Sequence, residues 1–323
     1  MAAMTLDAFI EAIQVRLNLV KLRLKEISTT LWTPKTLVVI AALGVVMMFF
    51  REPLEDFFGP KRGWGKLLVK NLFLAPKPDT WSFLQTFELC GKCDWFERFG
   101  EHNDGGYLMC MDDIHEGQLT AALSLGVEHH DQWSEDVSNH FNIPVYQFDC
   151  TVDQPPEGCK TCQFFKKCLK SEDGLYDVFP NQSWSLTEAI EHTGLSNAAD
   201  RTVLLKMDIE GAEWNIFSGI EKAALSKFQQ ILVEFHTLQL ENEHKLFHSA
   251  MKSLLDAGFH VTHLHGNNFV GMYRVAGYRI PEVLEVTFTA GARRKSCSTW
   301  QEFNKLDDPN TLIRDELPIA HVP

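Results

Sequence analysis

Hydrophobic positions along the chain recur with two periods. Short apolar runs of strand character are Leu119–Val127 (LTAALSLGV), Pro144–Cys150 (PVYQFDC), Thr202–Ile209 (TVLLKMDI), Gln230–His236 (QILVEFH), His260–His265 and Val283–Thr289 (VLEVTFT). Between them lie stretches of helical spacing. His130–Phe141 reads as one helix, and Glu241–Ala257 as another through Leu246, Phe247, Met251, Leu254 and Leu255. Strands alternating with helices in this way predict an α/β fold with a mainly parallel sheet covered on both faces.

The first fifty residues follow a different pattern. Phe9, Ile10, Ile13, Leu17, Val20 and Leu24 recur at spacings of three and four, an amphipathic segment within residues 1–30. Thr36–Phe50, TLVVIAALGVVMMFF, carries no charge in fifteen residues. Counted from Leu31, with Lys35 snorkelling, it approaches the roughly 20 residues that span a bilayer, so residues 31–50 are expected to form a transmembrane anchor. Pro53, Gly59, Pro60, Gly63, Gly65, Pro76 and Pro78 give residues 51–80 the composition of a stem. A folded domain is expected over residues 81–295, followed by a tail over 296–323.

Charge and cysteine content extend this reading. The net charge is −13, and the acidic excess lies beyond residue 50. A domain that acidic repels phosphate backbones, so nucleic acid is not an expected partner; a small molecule or glycan is. All eight cysteines follow the apolar run. With Lys21, Arg23, Lys25 and Lys35 before that run, and the sequon Asn181-Gln182-Ser183 after it, they suggest a single-pass type II protein with its domain in the ER or Golgi lumen. Cys90-Gly-Lys-Cys93 and Cys159-Lys-Thr-Cys162 have zinc-knuckle spacing, while four cysteines within 150–168 suggest a stapled insertion after the second strand. In a lumen disulfides are the expected state, with a structural zinc site or free thiols as alternatives, and the connectivity stays open.

Ligands of open α/β sheets bind beyond the carboxyl ends of the strands. Those ends carry Gly126–Glu128, Asp149, Asp208–Gly211, Glu234–His236 and His265–Asn268. Asp208, Glu210 and Glu213 crowd one strand end, where carboxylates accept protons from ligand hydroxyls or amines. Glu213 also suits the first turn of the next helix. Asp208, Glu210, His236 and His265 are plausible metal ligands, but no spacing identifies a metal set.

The segment LLKMDIEGAEWNIF (204–217) is similar to the lysine–acid–acid–glycine–glutamate signature of FkbM-like methyltransferases, and more specifically of their eukaryotic methyltransferase-like branch. Four further segments fall in order around it. They are FGEHNDGGY (99–107), SLGVE (124–128), HLHGNNF (263–269) and PEVLEVTF (281–288). The resemblance implies a Rossmann-like seven-stranded sheet with a final antiparallel strand, S-adenosylmethionine (SAM) as cofactor, and methyl transfer, usually to oxygen. It implies cofactor contacts at Gly126, Glu128, Asp149 and Asp208, with Asp149 accepting from the ribose hydroxyls. Asp208, Glu210 and His236 are the candidate catalytic groups, and His265 and Asn267 the candidates for orienting the acceptor. The glycine loop, SLGVEHH, departs from the pattern in keeping a single glycine. Two alternatives stand beside a membrane-anchored O-methyltransferase: a Golgi-type metal-dependent glycosyltransferase using Asp208-Ile-Glu210, and an inactive scaffold that retains the fold.

Overall fold

The computed structural model describes residues 78–112, 114–292, 294–298 and 304–317. The chain divides into two units, Met1–Phe73 and Leu74–Pro323, and all described residues belong to the second. The segments read as amphipathic, anchor and stem through residue 77 lie outside the described residues.

Seven strands form the central sheet. In chain order they are β1 (Ala121–Leu125), β2 (Val145–Phe148), β3 (Cys162–Phe165), β4 (Val203–Met207), β5 (Phe228–Phe235), β6 (Phe259–Gly266) and β7 (Leu284–Ala290). Their spatial order is β6-β7-β5-β4-β1-β2-β3. All neighbouring pairs are parallel except those of β7, which runs antiparallel to both β5 and β6. The sheet reverses its winding direction between β1 and β4, which creates a switch point with a crevice at the carboxyl ends of those strands.

Alternation along the strands divides the core between two faces. Leu123, Leu125, Leu205, Met207, Ile231 and Val233 point to one side, and Ala122, Val145, Leu204 and Leu232 to the other. Against the first face pack helices α1 (Pro78–Gln85), α3 (Leu186–His192), α4 (Glu213–Gly219) and α5 (His244–Asp256). Trp214 of α4 is the centre of this layer, stacked on Phe235 at 4.1 Å and Phe247 at 4.2 Å. The opposite face is covered by α2 (Gln132–Phe141) and the hairpin Phe96–Gly100/Gly106–Cys110. Helix α2 starts where the Asp131 carboxylate accepts from Ser134 N and ends at Asn142 in a left-handed conformation. A full capping box of Ser185 and Glu188 starts α3.

All eight cysteines are paired, as Cys90–Cys297, Cys93–Cys110, Cys150–Cys168 and Cys159–Cys162. The last two staple the insertion that carries β3. Cys90–Cys297 ties the strand Leu89–Gly91 to its antiparallel partner Arg294–Ser298, within the stretch read as domain end and tail.

One expectation is corrected. Among the described residues, no helix is long and apolar enough to cross a membrane. The 13-residue α5 is about 20 Å long at 1.5 Å per residue, against a hydrocarbon core of about 30 Å. Residues 31–50 lie outside the described residues, and the single-pass type II localisation inferred from them is withdrawn.

Candidate active site

The site is built on the carboxyl ends of β1, β2, β4, β5 and β6 and on the amino end of the antiparallel β7. Gly126 ends β1 with φ +75°, and a Cβ there would lie 1.6 Å from the Asp208 carbonyl oxygen. No side chain fits, so glycine is required for two strand ends to meet. Its amide donates to Phe148 O at 2.9 Å, and its carbonyl accepts from Lys206 Nζ at 2.6 Å. Lys206 is buried on β4, 3.8 Å from Asp208 Oδ2 and 5.8 Å above the Tyr107 ring.

Asp149 closes the neighbouring corner. Its Oδ2 accepts from the amides of Val127 and Glu128 at 3.1 and 3.0 Å, and its Oδ1 from Thr151 N and Oγ1 at 2.7 and 2.6 Å. Burial pushes this carboxyl up, but the Thr151, Glu128 and Val127 hydrogen bonds outweigh it and hold the group below the usual aspartate range. Glu128, in a left-handed conformation at φ 44°, points its side chain to solvent.

The signature Lys206–Glu213 supplies the centre. Asp208 Oδ2 accepts from Tyr107 Oη at 3.2 Å. Burial and the nearby carboxylates push the Tyr107 phenol well above 10, so it stays a donor. Glu213, fully buried at the start of α4, accepts from the amides of Ile209 and Gly211 and fixes the turn. His236 follows β5 and is gripped from every side. Its Nδ1 lies 3.1 Å from Glu213 Oε1, and its Nε2 lies 3.3 Å from Glu234 Oε1, 3.4 Å from Glu210 Oε2 and 3.9 Å from Asp208 Oδ1. Its carbonyl accepts from Trp214 Nε1 at 2.7 Å. Burial alone would lower its pKa, yet the hydrogen bonds and charges of Glu213 and Glu234 raise it to about 11. The surrounding carboxylates thus favour the protonated ring.

A second group lies alongside. His265 on β6 is enclosed between Glu285 Oε2 at 3.0 Å and Glu316 Oε1 at 3.2 Å. Burial opposes protonation here too, but the charge and hydrogen bond of Glu285, then Glu316, raise it to about 11. Asn267 Nδ2 reaches Glu234 at 3.3 Å and Asp104 at 3.4 Å. Glu234 is buried, and burial followed by the charge of Asp208 pushes its carboxyl up.

Gly126, Glu128, Asp149 and Asp208 thus converge at one corner, and Asp208, Glu210 and His236 at the next. Asn267 joins them through Glu234, whereas His265 on β6 stands two strands from β5, shut in by its two glutamates. Further residues complete the site. Asp104 and Tyr107 sit in the Asp-Gly-Gly-Tyr segment, and Glu285 in a segment already singled out. Asn310 and Glu316, from the stretch read as a tail, carry no local signal.

The sheet order and the acid-rich crevice at its switch point define a doubly wound α/β domain with a ligand-type cleft. Residues 189–261, from α3 through β4 and β5 into β6, match the family model described as the methyltransferase FkbM domain, as the signature at 204–217 implied. Two solved structures are also similar. The fibrillarin pre-rRNA processing protein of Methanococcus jannaschii shares 9% identity, covering 56% of this chain and 71% of that one, with a TM-score of 0.30. A putative S-adenosylmethionine dependent methyltransferase from Listeria monocytogenes shares 11%, covering 55% and 93%, with a TM-score of 0.29. Likeness at that level carries no functional argument. No curated protein matches the chain.

Proposed function

We propose that the protein is a SAM-dependent methyltransferase whose acceptor is a hydroxyl of a glycan or small hydroxylated metabolite. The observation that carries this is the convergence of Gly126, Asp149 and Asp208 at the switch point, with Glu210 and His236 within 4 Å of one another at its rim. The donor set suits the cofactor. Asp208 and Glu210 provide anionic surroundings for a sulfonium and an ammonium, and Asp149 offers acceptors for a ribose diol once Thr151 Oγ1 turns away. When bound, SAM supplies a methyl group on a positively charged sulfur.

The chain's own residues then have defined tasks. Methyl transfer is an in-line displacement, with the acceptor oxygen held about 3 Å from the methyl carbon. Asp208 Oδ2 is occupied by Tyr107, and Oδ1 lies 3.9 Å from His236 Nε2. Asp208 Oδ1 is accordingly the atom that takes the hydroxyl proton. With its protonated form favoured, His236 serves as a cation that orients Asp208 and Glu210 rather than as a base. Glu210, in a left-handed turn with an exposed side chain, stands where the acceptor enters.

Isothermal titration of the full chain with S-adenosylhomocysteine tests the cofactor assignment. Asp149→Ala is expected to weaken binding about tenfold or more, the cost of about 1.4 kcal/mol of lost hydrogen bonding. Unchanged affinity would rule out the ribose contact. Metal-dependent sugar transfer, which also draws on Asp208-Ile209-Glu210, is disfavoured because those residues lie within the matched methyltransferase segment.

A further inference from the structure

The loop between β3 and α3 holds apolar side chains in water. Residues 170–182 follow the short strand Cys168–Leu169, and Ser183–Trp184 pairs parallel with that strand to close the loop. Leu175 is 89% exposed, Val178 59% and Phe179 43%. Hydrogen bonds fix the chain around them. Ser171 Oγ donates to Asp173 Oδ1 at 2.6 Å and accepts from the Tyr176 amide at 2.9 Å, and the Tyr176 ring packs against the core. Three large apolar groups within five residues, held outward by a hydrogen-bonded loop, mark a surface with a further partner.

The same loop ends in Asn181-Gln182-Ser183, the only Asn-X-Ser/Thr triplet in the 323 residues. Its geometry displays the asparagine. Gln182 N donates to Phe179 O at 2.9 Å, closing a turn with Pro180 and Asn181 at its two central positions. Proline pre-sets the first, and Asn181, at φ 73°, takes the left-handed conformation that a type II turn requires at the second. The Asn181 side chain is exposed at the tip. Ser183 is buried, and its hydroxyl is shared between Asp177 Oδ1 at 2.7 Å and Phe179 O at 3.0 Å. An enzyme that must reach both residues meets this triplet only before the loop closes, whereas the open tip leaves room for a group attached earlier. Four disulfides take up all eight cysteines, the mark of a chain that folds in an oxidising compartment. Chains of that kind carry sugars on surface triplets of this type.

We propose that Asn181 carries an N-linked oligosaccharide that covers the apolar side chains of its loop. The donor is a polyprenyl-diphosphate-linked oligosaccharide. The Asn181 amide nitrogen attacks C1 of its first sugar: the C1–N bond forms, the C1–O bond to phosphate breaks, the lipid diphosphate leaves, and the amide gives up one proton. Phe179, two residues before the attachment point, offers its ring to the C–H face of that sugar, removing apolar surface of both from water. The inference rests neither on the methyl-transfer reading nor on any membrane topology.

Peptide N-glycosidase treatment of the full chain, expressed in cultured eukaryotic cells, tests this. The enzyme is expected to increase electrophoretic mobility. Mass spectrometry is expected to read Asn181→Asp in the released peptide, tagged when the digestion is run in heavy-oxygen water. Asn181→Gln is expected to migrate like the treated wild type and to be insensitive to the enzyme. Ser183→Thr keeps both the hydroxyl and the triplet and is expected to retain the shift, which separates loss of the sugar from a disturbed loop. Removal of the sugar from the folded wild type is expected to raise the fluorescence of an apolar dye, and Leu175→Ser/Phe179→Ser to remove most of that rise. The proposal is overturned if the wild type does not change mobility, if the shift survives in Asn181→Gln, or if dye fluorescence is the same before and after the sugar is removed.

Discussion

At the scale of single residues, the account turns on atoms already occupied. Gly126 has no room for a side chain, so its absent Cβ serves the fold before it serves any cofactor. Gly126→Ala forces a methyl into the Asp208 carbonyl as well as an unfavourable φ. Equilibrium urea unfolding is expected to show a loss of about 3 kcal/mol or more, and a loss under 1 kcal/mol would contradict the close approach. Asp149 carries a pH signature. Its folded pKa is depressed, so its stabilisation is present above the unfolded value of about 3.9 and is lost as pH falls through the lower folded value. The stability gap between wild type and Asp149→Asn should therefore be full at pH 6 and narrow below about pH 4. A gap that stays constant would show that the carboxylate's charge is not what the Thr151, Val127 and Glu128 donors hold. His236 illustrates what a strand-end reading reaches and where it stops. Its position beside Asp208 follows from the end of β5. Its charge state follows from Glu213 and Glu234, and only packing brings both of those onto its ring.

At the scale of elements, disulfides distinguish local from global ties. Cys90 and Cys297 are 207 residues apart, whereas Cys159 and Cys162 are 3 apart. Chain entropy assigns about 5 kcal/mol to the first bridge and about 2 kcal/mol to the second. Thermal melts of the paired serine variants are expected to rank accordingly, with Cys90→Ser/Cys297→Ser lowering Tm by much more. Equal shifts would mean that native geometry, not loop closure, dominates both. The long strands were legible from alternation and apolar runs. β4 and β5 appear within two residues of the predicted limits, and α5 keeps the expected periodicity. β3 went unseen because Cys162–Phe165 is a partly exposed edge of four residues, too short for a periodic signal. The hairpin at 96–110 was visible only as a motif. Its Asp104 and Tyr107 gain meaning once the strands fold over β5 and β7, where Thr287 Oγ1 donates to Leu108 O.

At the scale of the whole molecule, a sheet of order β6-β7-β5-β4-β1-β2-β3 concentrates acid at one edge. Alternation of strands and helices predicted the sheet, and five ordered motifs predicted its kind. The closing segment 304–317 was not legible at all. Asn310 reaches Asp104 across 206 residues, and Glu316 reaches His265 across 51, pairings that no local pattern encodes. The central claim is that the crevice between β1 and β4 receives the adenosyl cofactor. A ligand that binds only the folded state stabilises it by about 2.7 kcal/mol at a hundredfold excess over Kd. For a domain of this size that raises Tm by about 5–10 °C. The most direct measurement is the thermal shift of the full chain with S-adenosylhomocysteine. A saturable rise of that order, abolished or much reduced in Asp149→Ala, is the predicted result; no rise at millimolar ligand would contradict the account.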